Sequence, residues 1–574
     1  RCFVATTKGV GKAYQASQGA LLFHMAGHTG PLTGIAVNTL CHKILTNGYQ
    51  VSVLDQSTLE PAPQYAGSSG SIKAVFIGDS SLFSLSSTGS GSLWNLFTGM
   101  PVKTFPAKRN TGALAVSQGG KQLALLSGYF DIDMIDLAKD TLQTLSAIES
   151  RGQVQTCLSY NGDFLAMLSY TDTLNVWNVA RAKLVGRIKK MNPAFSGLPE
   201  FDTSSAHPKM FYAGEDKTKL IVRDAATGKV LYDIETGDRL LSACFTPGGQ
   251  QIITSGSYRC KVWDAGTGKR LYELNGYGPV LQFEGDKVVS VSLAPGADTS
   301  VVWVSSLSSG ARLHSFSLPP FTVARYIDFS RNVLYAGNGT ELQLYDYNSG
   351  KLIVRHIPID ESGYLDLLPS GYYKGTPAAA ASLHYVTANS RIVTFDQQVI
   401  KYNRPDLVLE AIGHADTSLI RSYRRAYEKR LRKLGVDTAS FREELSLPEV
   451  SILHRDTIRY ERGTDLLKLH IRGDGVASRL DMFNIWVNDV PVFGSRGYSL
   501  RHLLKKIFDT TLVIRLSEGE NRIETTVRNN KGTESYRMPL YVKYAPAVPV
   551  KSRTYFIGIG IDRFADSSRN LHWS

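Results

Sequence analysis

The stretch Cys260-Lys261-Val262-Trp263-Asp264-Ala265-Gly266-Thr267-Gly268-Lys269-Arg270-Leu271-Tyr272-Glu273-Leu274 reads as two short strands around a turn. Apolar and polar residues alternate up to Asp264, a Gly-bearing turn follows, and the alternation resumes. Forty residues earlier the chain nearly repeats itself: Leu220-Ile221-Val222-Arg223-Asp224, then Thr227-Gly228-Lys229, then Val230-Leu231-Tyr232-Asp233-Ile234. Further out, the same signature ends at Asp55, Asn95, Asp136, Asn178, Asp224, Asp264, Ser305 and Asp346, at steps of 40, 41, 42, 46, 40, 41 and 41 residues.

A period near 41 residues, with four short alternating runs per unit, is the length of one blade of a β-propeller. Eight signatures predict seven or eight blades, and eight is favoured. A ring must close, because an open edge strand invites aggregation. The run 20–26 (ALLFHMA) is expected to arrive from the N-terminal side as an outer strand and complete the last blade. Runs over 363–400 add further strands.

This pattern resembles the WD-repeat family over roughly residues 20–357. The tryptophan–aspartate pair occurs as Trp263-Asp264, with Trp177-Asn178 and Trp94-Asn95 as variants, and a Gly-His opening occurs at Gly27-His28. The resemblance implies a rigid platform that binds a protein partner through the propeller surface.

Gly266-Thr267-Gly268-Lys269 is a hairpin turn and not a phosphate loop, since Trp263 stands where the leading Gly is needed. Five cysteines form no CxxC and no regular spacing, which argues against a disulfide framework or a zinc site. Cys157 and Cys244 lie in apolar runs and are expected as small core residues. No catalytic, cofactor-binding or metal-binding residue is assigned, and no cofactor is expected. Hydrophobic residues at 43% and charged residues at 20% exclude wholesale disorder. No run approaches the eighteen apolar residues of a membrane helix.

Net charge is +13. One basic cluster lies in a connector over 401–445, where Leu407, Leu409, Ile412, Leu419, Ile420, Tyr423, Tyr427, Leu431 and Leu434 predict one helical stretch over 404–436 that stops at Gly435. Arg421, Arg424, Arg425, Lys429 and Arg432 form the candidate partner-binding basic face on it. Scarce stacking aromatics argue against nucleic acid.

Residues 446–546 return to alternating strands with turns at Asn488-Asp489, Glu518-Gly519 and Lys531-Gly532, which predicts a β-sandwich with Trp486 in its core. The pattern from Trp486 to Asp489 and then over 518–535 resembles an immunoglobulin-like module of bacterial multidomain proteins. After a stiff linker, the apolar run 555–561 (YFIGIGI) suits a strand buried on both faces of an α/β sheet. Ile557, Gly558, Ile559, Ile561, Phe564, Asn570 and Leu571 resemble the opening strand of caspase-like, metacaspase-related cysteine peptidases. One strand makes no sheet, so 547–574 is expected to begin a domain that continues past Ser574. The resemblance implies a His–Cys dyad beyond Ser574, and none of Cys2, Cys41, Cys157, Cys244 or Cys260 has its surroundings.

The expected architecture is therefore mainly β: a propeller over 1–400, the helical connector, the sandwich, and the first strand of a truncated peptidase domain. The expected function is the non-catalytic recognition region of a bacterial caspase-family protease. The alternative is a structural subunit of a multiprotein, cell-envelope assembly. An exported or periplasmic location is the first expectation, and a cytoplasmic one the second.

Overall fold

A computed structural model describes the backbone of residues 2–5, 11–15 and 20–25, most of 34–434 and almost all of 447–547. Residues 548–574 lie outside the described residues, and with them the peptidase-like strand. Two compact units emerge. One comprises Arg1–Phe395 with Tyr402–Glu428, the other Asp396–Lys401 with Lys429–Ser574.

The first unit holds eight consecutive antiparallel sheets, each built from neighbouring stretches of chain. Their innermost strands are Gly34–Asn38, Ser71–Ile77, Leu114–Val116, Gln155–Leu158, Glu200–Phe201, Ser242–Phe245, Val280–Glu284 and Val323–Asp328. Each lies beside the next, and Val323–Asp328 lies beside Gly34–Asn38. The ring is closed and has eight blades. Each blade is a local meander, so the 41-residue period in the sequence is the blade itself.

Two blades depart from four strands. Blade 1 has three among the described residues: Gly34–Asn38, Lys43–Asn47 and Val51–Asp55. Blade 8 has six, because the chain continues past its fourth strand, Leu352–Pro358, into Tyr364–Leu367 and Tyr373–Gly375. This overturns the expected closure by 20–26. The outer edge of blade 8 is already paired with its own continuation. Ala20–Met25 pairs instead with Gly11–Gln15, in a separate sheet with Cys2–Ala5, Leu383–Val386 and Ile392–Thr394.

The signature of blade 7 shifts by one residue. Gly268 N–H donates to the Asp264 carbonyl, and in blade 7 Gly310 N–H donates to Ser306, not Ser305. The structural equivalent of Asp264 is therefore Ser306.

The predicted single helix over 404–436 is two helices, α1 (Pro405–Ala411) and α2 (Thr417–Leu434). Gly413 breaks it with φ +73°. Its N–H donates to the Glu410 carbonyl, and His414 N–H donates to that of Leu409, a left-handed helix stop. The Asp416 carboxylate then accepts the Ser418 N–H at 2.8 Å and starts α2. Gly435 lies outside the described residues.

The second unit contains two sheets around one core. Glu449–Leu453, Leu466–Asp474 and Ile507–Arg515 form the first sheet. The second is centred on Leu480–Val487, Gly519–Asn529 and Leu540–Tyr544. Ile471, Phe483, Ile485, Ile514, Ile523 and Val542 meet between them. Asn488 and Asp489 both have positive φ, the geometry of a tight two-residue hairpin. Trp486 is not in the core. Alternation sends Phe483, Ile485 and Val487 inward and Trp486 to the opposite face, half-buried with the Arg537 guanidinium 4.0 Å from its ring.

Candidate interaction surface

The recurring Asp is consumed by its own turn. Asp264 Oδ1 accepts from the Gly266 N–H at 3.0 Å, the Thr267 N–H at 2.7 Å and the Thr267 hydroxyl at 2.8 Å. Asp224 with Thr227 and Asp346 with Ser349 repeat the arrangement. The Thr267 hydroxyl and N–H hold the Asp264 carboxyl below its ordinary range. At Asp55, burial pushes the carboxyl up, but Ser57 and Lys43 outweigh it and bring it to about 2. In blade 7, where Ser306 replaces Asp, Asp286 supplies the carboxylate, accepting from the Ser306 hydroxyl at 2.7 Å and the Ser308 N–H at 2.7 Å.

The signature tryptophans are anchored too. Trp263 Nε1 donates to the Thr254 hydroxyl at 2.7 Å, and Trp94 Nε1 to Ser84 at 2.9 Å, each two residues beyond the directly opposite partner. The same site in blade 4 is Met167, and there the buried Trp177 Nε1 has no acceptor among the described residues.

The close copies 229–234 and 269–274 mark a joint between blades. The Tyr232 hydroxyl donates to the Ala265 carbonyl of blade 6, and the Tyr272 hydroxyl to Leu307 of blade 7. His314 Nε2 takes the same role, 3.1 Å from the Tyr347 carbonyl of blade 8. Each acceptor directly follows the turn residue of its blade, so the turn and the joint form one device.

A second joint lies on the inner strands. Register places Ala36, Val75, Ala115, Cys157, Glu200, Cys244, Gln282 and Tyr326 at one position around the ring. Three of these reach the next inner strand. The Phe201 N–H meets Cys157, the Phe245 N–H donates to the Glu200 carboxylate, and Gln282 bonds both N–H and carbonyl of Ile327 at 2.9 Å. Cys157 and Cys244 are half-buried here and pack against the blade cores, and Cys260 is fully buried. Burial pushes the Glu200 carboxyl up to about 7, against the Phe245 hydrogen bond.

The closing seam holds a network that sequence reasoning missed. Asp366 is fully buried and accepts from Lys374 Nζ at 2.9 Å and meets His356 Nδ1 at 2.8 Å. Lys374 Nζ also donates to the Tyr364 hydroxyl at 2.9 Å and to the Thr58 carbonyl of blade 1 at 2.8 Å. Burial alone would lower the Lys374 ammonium, but Asp366 and Tyr364 carry it above its ordinary value. The His–Asp pair is closed over on every side and serves as a clamp between the strands of blade 8 and the turn of blade 1. Its members are scattered over 356–374, and only the strand register brings them together.

Leu59 sits in the blade 1 turn at φ +57°, where Gly99, Gly228, Gly268, Gly310 and Gly350 stand in other blades. It is fully buried with Tyr335, Val408, Leu409 and Ile412, so packing holds a conformation that side chains ordinarily avoid.

Outward, the blades present a different row. Val102, Leu142, Leu231, Leu271 and Leu313 each stand second in an outer strand and are 46–62% exposed. Ile353, at this place in blade 8, is half-buried, packed against the cluster that holds Val408, Leu409 and Ile412. Phe97 and Met100 add two large exposed side chains on the blade 2 turn.

Of the predicted basic face, Arg421, Arg425, Lys429 and Arg432 are exposed on α2. Arg424 stands apart. It donates to Glu410 at 2.9 Å and to Asp406 at 3.4 Å, joining α2 to α1. Asp406 also receives a two-pronged contact from Arg404 at 2.8 and 2.7 Å, and the Arg404 guanidinium lies 4.1 Å from the Tyr427 ring. Leu409, Ile412 and Ile420 are buried as predicted, while Tyr423 is exposed. No metal-ligating cluster occurs among the described residues. No helix among them is long and apolar enough to cross a membrane.

Repeat, turn caps and closed ring define an eight-bladed β-propeller. No family model matches the chain. It is 22% identical over 192 residues to a putative BTB/POZ domain and WD-repeat protein of Acanthamoeba polyphaga mimivirus, covering 33% of this chain and 38% of that protein. It is 25% identical over 116 residues to the small ribosomal subunit protein RACK1 of Drosophila melanogaster, covering 20% of this chain and 35% of that protein. The chain thus spans little more than a third of the length of these relatives. Among solved structures it is similar to the C-terminal WD40 domain of Sif2, with 14% identity, a TM-score of 0.41, and coverage of 52% of this chain and 88% of that one.

Proposed function

We propose that this chain is the recognition and scaffold region of a bacterial caspase-family cysteine protease, and that its propeller holds a protein partner. The row Val102, Leu142, Leu231, Leu271 and Leu313 carries the binding half. Aliphatic groups repeated on rigid strands and left in water favour coverage by another protein. The WD-repeat relatives support the same reading. The peptidase half rests on the resemblance of Ile557, Gly558, Ile559, Ile561, Phe564, Asn570 and Leu571 to a caspase-like opening strand. It rests also on the order of propeller, Arg404-Pro405-Asp406 helical segment and sandwich, the last read as an immunoglobulin-like spacer. In that chemistry a His takes the proton of a Cys thiol, and the thiolate attacks the scissile carbonyl.

The test labels the native protein with a thiol-reactive peptidase probe and maps the labelled peptides. Labelled peptides beyond Ser574 support the protease. A native mass near 63.1 kDa with no label overturns the peptidase half and leaves a structural subunit of an assembly. Photo-crosslinking groups at Leu271 and Leu313 test the binding half separately. Partner adducts at both support it, and none at either overturns it.

A further inference from the structure

The outer side of α2 carries charge that the fold leaves uncommitted. Arg421, Arg425, Lys429 and Arg432 follow at steps of four, four and three residues, so the helix stacks them in one column. Eleven residues at the rise of an α-helix make that column about 16 Å long. All four side chains are exposed, and none has an ion pair or side-chain hydrogen bond among the described residues. Arg430 and Lys433 flank them, and Glu428 is the single acid of the helix.

The inner side of the same helix shows what such a guanidinium takes up. Arg424 binds Asp406 and Glu410, which stand four residues apart on α1. Two helices in this pairing present charges about 6 Å apart on both sides, so their spacings match. A helix with carboxylates one turn apart is therefore already a partner of α2 within the chain.

We propose that the outer column of α2 binds a second partner of this kind: an acidic helical segment of another polypeptide, with Asp or Glu at positions i, i+4 and i+8. Other anionic partners fit less well. A membrane-surface helix needs a large apolar face to insert, and what stands beside the charges of this column is Glu428, Ser422 and Ala426. Single-stranded nucleic acid needs stacking aromatics. Tyr427 is occupied by the Arg404 guanidinium, and Tyr423 lies on the far side of the helix from the column. The proposal does not rest on the partner of the propeller or on the peptidase reading.

The experiment titrates the full chain at physiological salt with four probes. These are a helical peptide with Glu at i, i+4 and i+8, a peptide of equal composition with that spacing shuffled, phosphatidylserine-containing vesicles, and a single-stranded oligonucleotide. The spaced peptide is expected to bind about tenfold more tightly than the shuffled one. The double variant Arg421→Glu/Arg425→Glu, which leaves the Arg424 contacts in place, is expected to lose about tenfold in affinity for it. Neutral Lys429→Gln/Arg432→Gln keeps the test open if charge reversal disturbs folding, and should weaken binding in the same direction. Equal affinity for the two peptides, unchanged affinity in both variants, or tighter binding to vesicles or oligonucleotide overturns the proposal.

Discussion

Gln56, in the turn of the first blade, donates its side-chain amide at 2.9 Å to the carboxylate of Asp328, in the inner strand of the last. It also donates to the Tyr335 hydroxyl at 3.0 Å. Arg331 completes the seam, donating to the Gln56 carbonyl at 3.2 Å and the Ile412 carbonyl at 2.7 Å. Among the described residues blades 1 and 8 share no strand pairing, so side chains and α1 do the closing.

Gln56→Leu should therefore destabilise the propeller by about 1–3 kcal/mol, since it strips a buried carboxylate of a donor. Urea unfolding followed by tryptophan fluorescence reads it. A midpoint equal to that of the unaltered protein would show that this pair does not hold the seam.

Lys374→Met should cost more, about 3–5 kcal/mol, because Asp366 would remain buried with its charge uncompensated. Adding Asp366→Asn to Lys374→Met should recover part of that loss. A double variant no more stable than the single one would refute the charge-pair account.

Glu200 makes stability depend on pH in a stated direction. Its folded value, about 7, lies above the ordinary 4.5, so the folded state binds the proton more tightly. Its contribution is full below about pH 4.5 and is lost as pH rises through 7. Solvent reaches the half-buried carboxyl, so the loss is put at about 1–2 kcal/mol. Denaturation midpoints compared between pH 5 and 8 should fall more for the unaltered protein than for Glu200→Gln. Parallel profiles would exclude Glu200 as the cause.

Gly268→Ala should destabilise by about 1–3 kcal/mol. Gly268 has φ +71°, and an added Cβ would stand 2.6 Å from the Tyr232 ring, which the Ala265 bond holds in place. Gly248→Ala, equally left-handed but with nothing within 4 Å of the added carbon, should cost less. Calorimetry of the two variants ranks them, and the reverse order would remove the crowding from the explanation.

What could be read without coordinates was local. Asp264, Thr267 and Gly268 satisfy one another within five residues, so the turn, and with it the period, stands in the sequence. Pairing over distance does not. Alternation in 20–26 marks a strand but not its neighbour, and Gly11–Gln15 rather than the last blade was the neighbour. Two adjacent serines blurred the end of the blade 7 signature. Counting parity from Phe483 and Ile485 would have turned Trp486 outward, where residue type alone suggested the core. Gly413-His414 was a visible break within the helical stretch. His356, Asp366 and Lys374 carried no motif, since their association exists only in the register of three strands. Arg424 could not be told from Arg421 or Arg425 by composition, and what separates them is the presence of Asp406 and Glu410 on the facing helix.

Each sheet of the ring is made from one uninterrupted length of chain, and the two ends meet without strand pairing among the described residues. During synthesis no blade has to wait for a strand from the far terminus. Blades 2 to 7 can form one after another as they emerge, with low contact order and few open edges. The seam of Gln56, Asp328, Arg331 and Lys374 joins the first blade to the last, so closure comes last. Pulse-labelled hydrogen exchange should then show the inner strands of blades 3 to 6 protected before Gly34–Asn38 and Val323–Asp328.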